Sequence, residues 1–373
     1  MKPFTFEAHI PRTVFGSGTL DKIPEEIERL GAQRVLLVTE NTDRQRALAD
    51  KVKGLLGDKV VGIWTIALAA IGLQLHEGSC TDAVMHTPEE VTLKALEQAK
   101  SVNADCYVSL GGGSTIGLGK ALTIRTGGKH LAVPTTYAGS EATPVLGETV
   151  NKVKTTRSDP KILPNTIVYD VDLTLSLPQQ LTYTSGINAM AHCVEALWSV
   201  GNNPVIDGIA CSGIQDLASA LRKLKDTPND MDARGKATSG AFVAGVCLAH
   251  VPMAIHHKLC HTLGGSFGLP HSETHTVILP HAIAYNAKAA PEAMEKIKRA
   301  LGTDKDAATG VYDLEKELGT VTSLKELGMK KEDLEKAAEI ACKAQYPNPE
   351  PLEKGKLLQL LENAWEGKPP QSV

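Results

Sequence analysis

Four of the chain's 12 histidines fall between positions 256 and 271, in His256-His257-Lys258-Leu259-Cys260-His261-Thr262-Leu263-Gly264-Gly265-Ser266-Phe267-Gly268-Leu269-Pro270-His271. The run before them, Ala241 to Ile255, is apolar, small and uncharged, and reads as a buried helix. If that helix continues, His257 and His261 stand at i and i+4, one turn apart on one face. Gly264-Gly265 and Pro270 then end it and let His271 return towards the same face. A second set lies upstream in Gly186-Ile187-Asn188-Ala189-Met190-Ala191-His192-Cys193-Val194-Glu195, where Asn188 and His192 are again i and i+4. A single HxxxH pair is ordinarily hydrogen-bonded core. Two such pairs on uncharged helices, joined by His271 after a glycine-rich turn, point to something polar held between them. Imidazoles move protons near neutral pH and bind divalent metals, so proton transfer or metal chemistry is the expected use.

The elements that must position these groups differ between the two halves of the chain. Arg34 to Thr39 reads as a buried strand, followed by a turn and a helix to about Leu56; residues 59 to 64 read as another strand. Thr87-Pro88-Glu89-Glu90 is a helix start, with Thr as N-cap and Pro at the first position, and predicts a helix to about Val102. Asp105 to Leu110 is the next strand, closed by Gly111-Gly112-Gly113-Ser114. Strand, helix, strand, glycine turn and helix together describe a parallel sheet with crossover helices. A glycine turn between a strand and a helix lets backbone N–H groups approach a pyrophosphate, and the helix N-terminus favours its charge. Pro134-Thr135-Thr136-Tyr137-Ala138-Gly139-Ser140-Glu141 forms a second polar turn after the short strand Leu131-Ala132-Val133. Two such turns at neighbouring strand ends predict a dinucleotide site. Pro160 to Asp172 reads as a connecting strand and linker, and beyond it Ala, Leu and Lys recur with helical periodicity. The expected organisation is therefore an α/β dinucleotide-binding domain over 1–162 and an all-α domain over 163–373.

Composition excludes several classes. The 373 residues suffice for two domains, and 42% hydrophobic content is ordinary for a globular protein. A net charge of −4 without dense Lys or Arg blocks argues against nucleic acid or an anionic membrane surface. The start lacks a signal-peptide core, and the longest uncharged stretch, Val60 to Leu75, is too short and too interrupted for a membrane span. Seven scattered cysteines without a CxxC motif read as reduced thiols, which predicts a cytoplasmic protein.

In order and spacing, GGGS at 111–114, PTTYAGSE at 134–141, the Asn188/His192 helix and the unit from His257 to His271 resemble the iron-containing (group III) alcohol dehydrogenase superfamily over essentially the whole chain. The resemblance implies a dehydroquinate synthase-like fold, with an N-terminal α/β domain, a C-terminal helical domain, the active site in the cleft between them, and a homodimer. Metal-dependent members have aspartate where this chain has Asn188, and aspartate in the helix after GGGS where it has Gly117. Both departures are similar to the maleylacetate reductase branch. That branch implies reduction of maleylacetate, a small dicarboxylate, to 3-oxoadipate by NADH or NADPH, late in aromatic-ring degradation. A metal-dependent alcohol dehydrogenase or aldehyde reductase of the same superfamily is the alternative, and a non-catalytic nucleotide- or metal-binding protein the alternative of another class.

Asn188, His192, His257 and His271 would be four neutral ligands, whereas a divalent ion in an oxygen and nitrogen site usually takes an anionic one. The expectation is therefore that no metal is required and that the histidines do the work. In that reading His257 or His261 is the proton donor or enolate stabiliser, His192 and His271 position the substrate, and His250 and His256 are core residues or support the others from behind. Lys258 and protonated histidines are candidates to meet the dianion, though Lys258 could equally face solvent. For the cofactor the resemblance implicates Gly112, Gly113, Ser114, Thr135, Thr136 and Ser140, with Lys154 near the nicotinamide. Glu40, after the first strand, would accept from a ribose 2′-hydroxyl and favour NADH, although Arg44 and Arg46 could hold a 2′-phosphate instead. His9, His76, His86 and His130 are expected in surface or loop positions. Compared with the family, Ile66 to Thr81 reads as additional, a surface insertion or a translated intron.

Overall fold

The computed structural model describes residues 3–66, 87–150, 153–343 and 346–372. It divides into two units, His9–Leu177 and Pro178–Val373, the second also taking in Met1–Ala8.

The first unit contains β1 (Arg12–Gly16), α1 (Ile23–Arg29), β2 (Val35–Glu40), α2 (Asp43–Leu56), β3 (Val60–Ile66), β4 (Thr87–Pro88), α3 (Glu89–Ser101), β5 (Cys106–Gly111), α4 (Gly113–Thr126), β6 (Lys129–Pro134), β7 (Val145–Val150), β8 (Val153–Ser158) and β9 (Thr166–Asp170). Six of these strands form one sheet in the order β1-β9-β6-β5-β2-β3, every pair parallel. β2 and β5 are fully buried apart from the half-buried Glu40, as apolar runs covered on both faces should be. From β2 the chain winds outward to β3 and then back past β2 to β5. The carboxyl ends of β2 and β5 thus flank the point where the winding reverses, where open α/β sheets bind ligands. The smaller sheet, β4-β7-β8, joins a parallel pair to an antiparallel hairpin.

The second unit is helical: α5 (Gln179–Trp198), α6 (Pro204–Asp226), α7 (Met231–His250), α8 (Ile255–Phe267), α9 (His271–Asn286), α10 (Pro291–Leu301), α11 (Ala307–Leu318), α12 (Leu334–Lys343) and α13 (Lys354–Glu366). α5 carries no Asp, Glu, Lys or Arg except Glu195 and is buried along nearly its whole length. Apolar side chains of α8, α9, α12 and α13 form one core cluster of this unit.

The structure corrects several expectations. The boundary lies between Leu177 and Pro178, not at 162, because Thr166–Asp170 is no linker strand: it pairs with both β1 and β6 inside the parallel sheet. Thr87-Pro88 is strand rather than helix cap. The apolar run from Ala241 is not one helix: α7 ends at His250 and α8 leaves at 96° after a break containing Pro252. Proline lacks the amide that an uninterrupted helix would need there. Gly264-Gly265 does not end α8, which runs to Phe267 and closes on Gly268 in the left-handed conformation. Ile66 is buried and pairs with Glu40, so it completes β3 rather than starting an insertion. Residues 67–81, like His76 and His86, lie outside the described residues. His130 is not a surface residue: it is fully buried, and its Nε2 meets Ser109 Oγ at 2.9 Å. Among the described residues no single helix is long and apolar enough to cross a membrane.

Candidate active site

The imidazole cluster is built on α5, α8 and α9. Helical spacing puts Asn188 and His192 on one face of α5, and His257 and His261 on one face of α8. Ring centroids of His192 and His257 lie 4.8 Å apart, those of His257 and His261 5.9 Å. His271 opens α9, and the ring of His275, one turn on, lies 4.1 Å from it and 5.0 Å from His257. Ring contacts thus draw His192, His257, His261 and His271 together through His275, and Asn188 stands one turn from His192 on α5. His275 was not singled out by spacing, although His271 and His275 repeat the same i, i+4 signal.

Glu195 organises the cluster. The first residues of α8 have no side-chain cap of their own, since the N-cap is Ala254. Glu195, reaching across from α5, takes that role: its oxygens accept from the backbone amides of Ala254 at 3.0 Å, His256 at 2.8 Å and His257 at 3.4 Å. The same carboxylate meets His257 Nδ1 at 2.7 Å. An anion at a helix N-terminus satisfies amides that would otherwise be stranded. Burial pushes the Glu195 carboxyl up, while His256 and the amides oppose that shift. Both oxygens face N–H donors, which suits the ionised form. With Nδ1 donating to Glu195, His257 presents the lone pair of Nε2, an atom with no partner among the described residues.

Burial holds His192 and His257 well below the usual imidazole range, their neighbouring imidazoles adding to the effect; His275 follows the same rule, and His256 moves the same way despite Glu195. Burial thus favours the uncharged form of each of these four rings. His256 is tied down by its Nε2, 2.9 Å from the carbonyl of His275. His261 Nδ1 lies 3.3 Å from the hydroxyl of Tyr346.

The glycine turn expected to meet a nucleotide follows β5 at the switch point of the sheet, and the second polar turn follows the neighbouring β6. Gly111 ends β5 with φ +153°, and a Cβ there would sit 2.6 Å from Thr115 Oγ1 and 3.1 Å from Glu40 Oε1, so only glycine fits. Gly112 is the N-cap of α4 and Gly113 its first residue, with no side chain capping the helix, which leaves this end suited to a phosphate. Glu40 Oε1 accepts from Thr115 Oγ1 at 2.9 Å and Gly112 N at 3.4 Å. Thr135 follows β6, its amide donating to Gly111 O at 3.0 Å, and Ser140 Oγ lies 3.9 Å from where a Gly113 Cβ would be. Ser114 is buried and Thr136 half-buried beside them. Lys154 lies on β8 opposite Thr149; its side chain lies outside the described residues. Arg44 donates to the carbonyls of Leu173 and Ser176, and Arg46 to Asn41 and Asp43.

One residue of this turn escaped sequence reasoning. Lys120, the lone charge between Ile116 and Ile124 of α4, is fully buried, and its Nζ donates to Ser140 O, Thr143 O, Thr143 Oγ1 and Val145 O at 2.6 to 3.0 Å. Burial pulls it down to about 7 against the pull of Glu141. A lysine inside an apolar helix was the available signal.

Comparison with known proteins follows the same division. The iron-containing alcohol dehydrogenase model matches residues 11–171, and the C-terminal model of the Fe-containing alcohol dehydrogenase family matches 182–365. A maleylacetate reductase of Burkholderia cepacia is 46% identical over 99% of this chain and 100% of its own. The chain belongs to the iron-containing alcohol dehydrogenase family. As a member it is an oxidoreductase. The crystal structure of maleylacetate reductase from Agrobacterium tumefaciens superposes with a TM-score of 0.90 at 43% identity, covering 99% of this chain and 100% of that one. That of an iron-containing alcohol dehydrogenase from Corynebacterium glutamicum gives 0.88 at 35%, covering 98% and 97%.

The family's name implies a metal. Asn188 Oδ1, His192 Nδ1 and His257 Nε2 are buried and have no partner among the described residues. Polar atoms left in that state are costly unless something meets them. A nitrogen-rich, neutral donor set fits a borderline divalent cation such as zinc or ferrous iron, even without an anionic ligand. The expectation that no metal is required, which rested on the neutrality of Asn188, therefore finds no support here.

Proposed function

We propose that this protein reduces maleylacetate to 3-oxoadipate with NADH, late in aromatic-ring degradation. The observation that carries this reading is the match at 46% identity over 99% of the chain to a maleylacetate reductase. In the reaction, hydride from the nicotinamide C4 adds to the alkene carbon β to the ketone. The C=C electron pair moves to form an enolate, which takes a proton at the carbon α to the ketone.

The residues divide this work by protonation state. His257 is held as the Nδ1–H tautomer by Glu195, so its Nε2 offers a lone pair and not a proton. His192 is likewise neutral through burial. Asn188, His192, His257 and His271 would hold a divalent ion, which when bound would polarise the ketone oxygen as a Lewis acid. His261, half-buried and in contact with the Tyr346 hydroxyl, is our candidate for the donor that protonates the α-carbon, with Tyr346 in line to return the proton to Nδ1. His271 would orient the substrate at the start of α9.

On the cofactor side, the uncapped start of α4 would take the pyrophosphate and Glu40 the adenosine ribose. With Arg44 and Arg46 both committed to local acceptors, neither is disposed to balance a 2′-phosphate, which favours NADH. The test is NADH oxidation with freshly generated maleylacetate. The expected result is stoichiometric formation of 3-oxoadipate, with a higher kcat/KM for NADH than for NADPH. Reduction of simple aldehydes without turnover of maleylacetate would overturn the substrate assignment.

A further inference from the structure

Among the described residues two lysines, Lys120 and Lys258, are buried, and their surroundings are opposite in character. Lys120 is surrounded by oxygen acceptors. Lys258, next to His257 on α8, is only 9% exposed, yet no carboxylate, carbonyl or hydroxyl accepts from its Nζ among the described residues. Its contact is the face of the Tyr346 ring, 5.3 Å from Nζ to the centroid. A ring face offsets only part of what an ammonium gives up on leaving water. The same Tyr346 carries the hydroxyl that meets His261, so Lys258, Tyr346 and His261 form one cluster that continues into the other imidazoles. The carboxylate of Glu195, in the same cluster, is filled by the α8 amides and His257.

We propose that Lys258, seated on the Tyr346 ring, is a carboxylate subsite that receives one end of a dicarboxylate substrate. The proposal rests on the functional reading above and adds the determinant that distinguishes a dianion from a simple aldehyde. Nζ donates to the incoming carboxylate while the ring holds its other side, and the bound carboxylate supplies the counter-charge that no described residue gives the lysine. This anchors the substrate on the helix that carries His257 and His261.

The test uses the NADH complex of the full chain, titrated with adipate, which has the carbon skeleton of the expected product but no ketone, and with the monoanion hexanoate. Unmodified protein should bind adipate at least about 10-fold tighter than hexanoate. Lys258→Met should erase that preference and raise KM for maleylacetate by about 30-fold, the scale of one charge-assisted hydrogen bond, with the loss concentrated in KM and the Kd of NADH unchanged. Lys258→Arg should recover most of the preference, and Tyr346→Leu should weaken it. Should Lys258→Met fail to fold, the arginine and leucine variants read the same ratio. An adipate preference and KM indifferent to all three substitutions would overturn the subsite even if maleylacetate is turned over. A preference that depends on Lys258 in a protein that does not reduce maleylacetate would sustain the subsite and overturn the functional reading.

Discussion

Glu195→Gln is a perturbation whose consequence can be worked out atom by atom. The carboxylate receives four N–H groups: Ala254 N, His257 N and His257 Nδ1 on Oε2, and His256 N on Oε1. Glutamine has the same shape but only one acceptor oxygen. Placed at the Oε2 position, that oxygen keeps three donors and sets the NH2 group against the His256 amide; flipped, it keeps only the His256 amide. Either way at least one buried donor loses its acceptor, which costs about 1–3 kcal/mol. The α8 N-terminus also loses its anion, worth about 0.3–1 kcal/mol and more when buried. The expected destabilisation is about 3 kcal/mol in urea unfolding followed by circular dichroism. Catalysis should fall on the order of 10–100-fold in kcat, as for other losses of a carboxylate that orients a working histidine. The ring itself supplies an independent readout: nitrogen-15 NMR of histidine-labelled protein should find His257 as the Nδ1–H tautomer. Unchanged unfolding and kcat in the variant, or an Nε2–H tautomer in the unmodified protein, would refute the reasoning.

Glu315 offers a pH test. It is fully buried on α11, and neither carboxylate oxygen has a partner among the described residues. Burial raises its pKa well above the usual range. A raised folded pKa means the stability it allows is complete below the unfolded pKa and is lost as pH rises through the folded one. Glu315→Met should therefore stabilise by roughly 1–3 kcal/mol at neutral pH, with the gain shrinking as pH falls towards about 4; an equal gain at both would refute the assignment. Gly111→Ala drives a Cβ to 2.6 Å from Thr115 Oγ1, so Kd for NADH should rise about 10-fold or more in a fluorescence titration, with about 2 kcal/mol lost in stability; an unaltered Kd would separate this turn from the cofactor. Asn188→Asp adds an anionic ligand to the neutral donor set and should tighten zinc binding by about 10–100-fold in competition with a chromophoric chelator, whereas equal affinity would remove Asn188 from the metal's shell.

Local pattern made much of this legible. β2 and β5 are short apolar runs, Gly111-Gly112-Gly113 follows a strand, and HxxxH spacing fixes a helix face whatever the tertiary structure. What depended on distant pairing did not show. Thr166–Asp170 looked like a linker because its strand partners lie at Arg12–Gly16 and Lys129–Pro134, and nothing local reports that order. His130 looked peripheral because its partner, Ser109, is on another strand. Lys258 looked ambivalent because the ring beneath it comes from residue 346.

The break before α8 joins the two kinds of information. By pattern alone Ala241 to Ile255 runs into the histidines as one helix. Such a helix would need no capping group at residue 254, and Glu195 would then be an unexplained charge on a buried, otherwise uncharged α5. Pro252 interrupts the run, and the new helix that begins at Ile255 exposes amides in need of an acceptor. Glu195 answers that need, and because His257 lies in the same first turn, the carboxylate that starts the helix also holds the imidazole of His257 through Nδ1. A fold requirement and a chemical one thus fall on a single side chain. For that reason Glu195→Gln should disturb stability and turnover together, while Lys258→Met, which caps nothing, should disturb substrate binding alone.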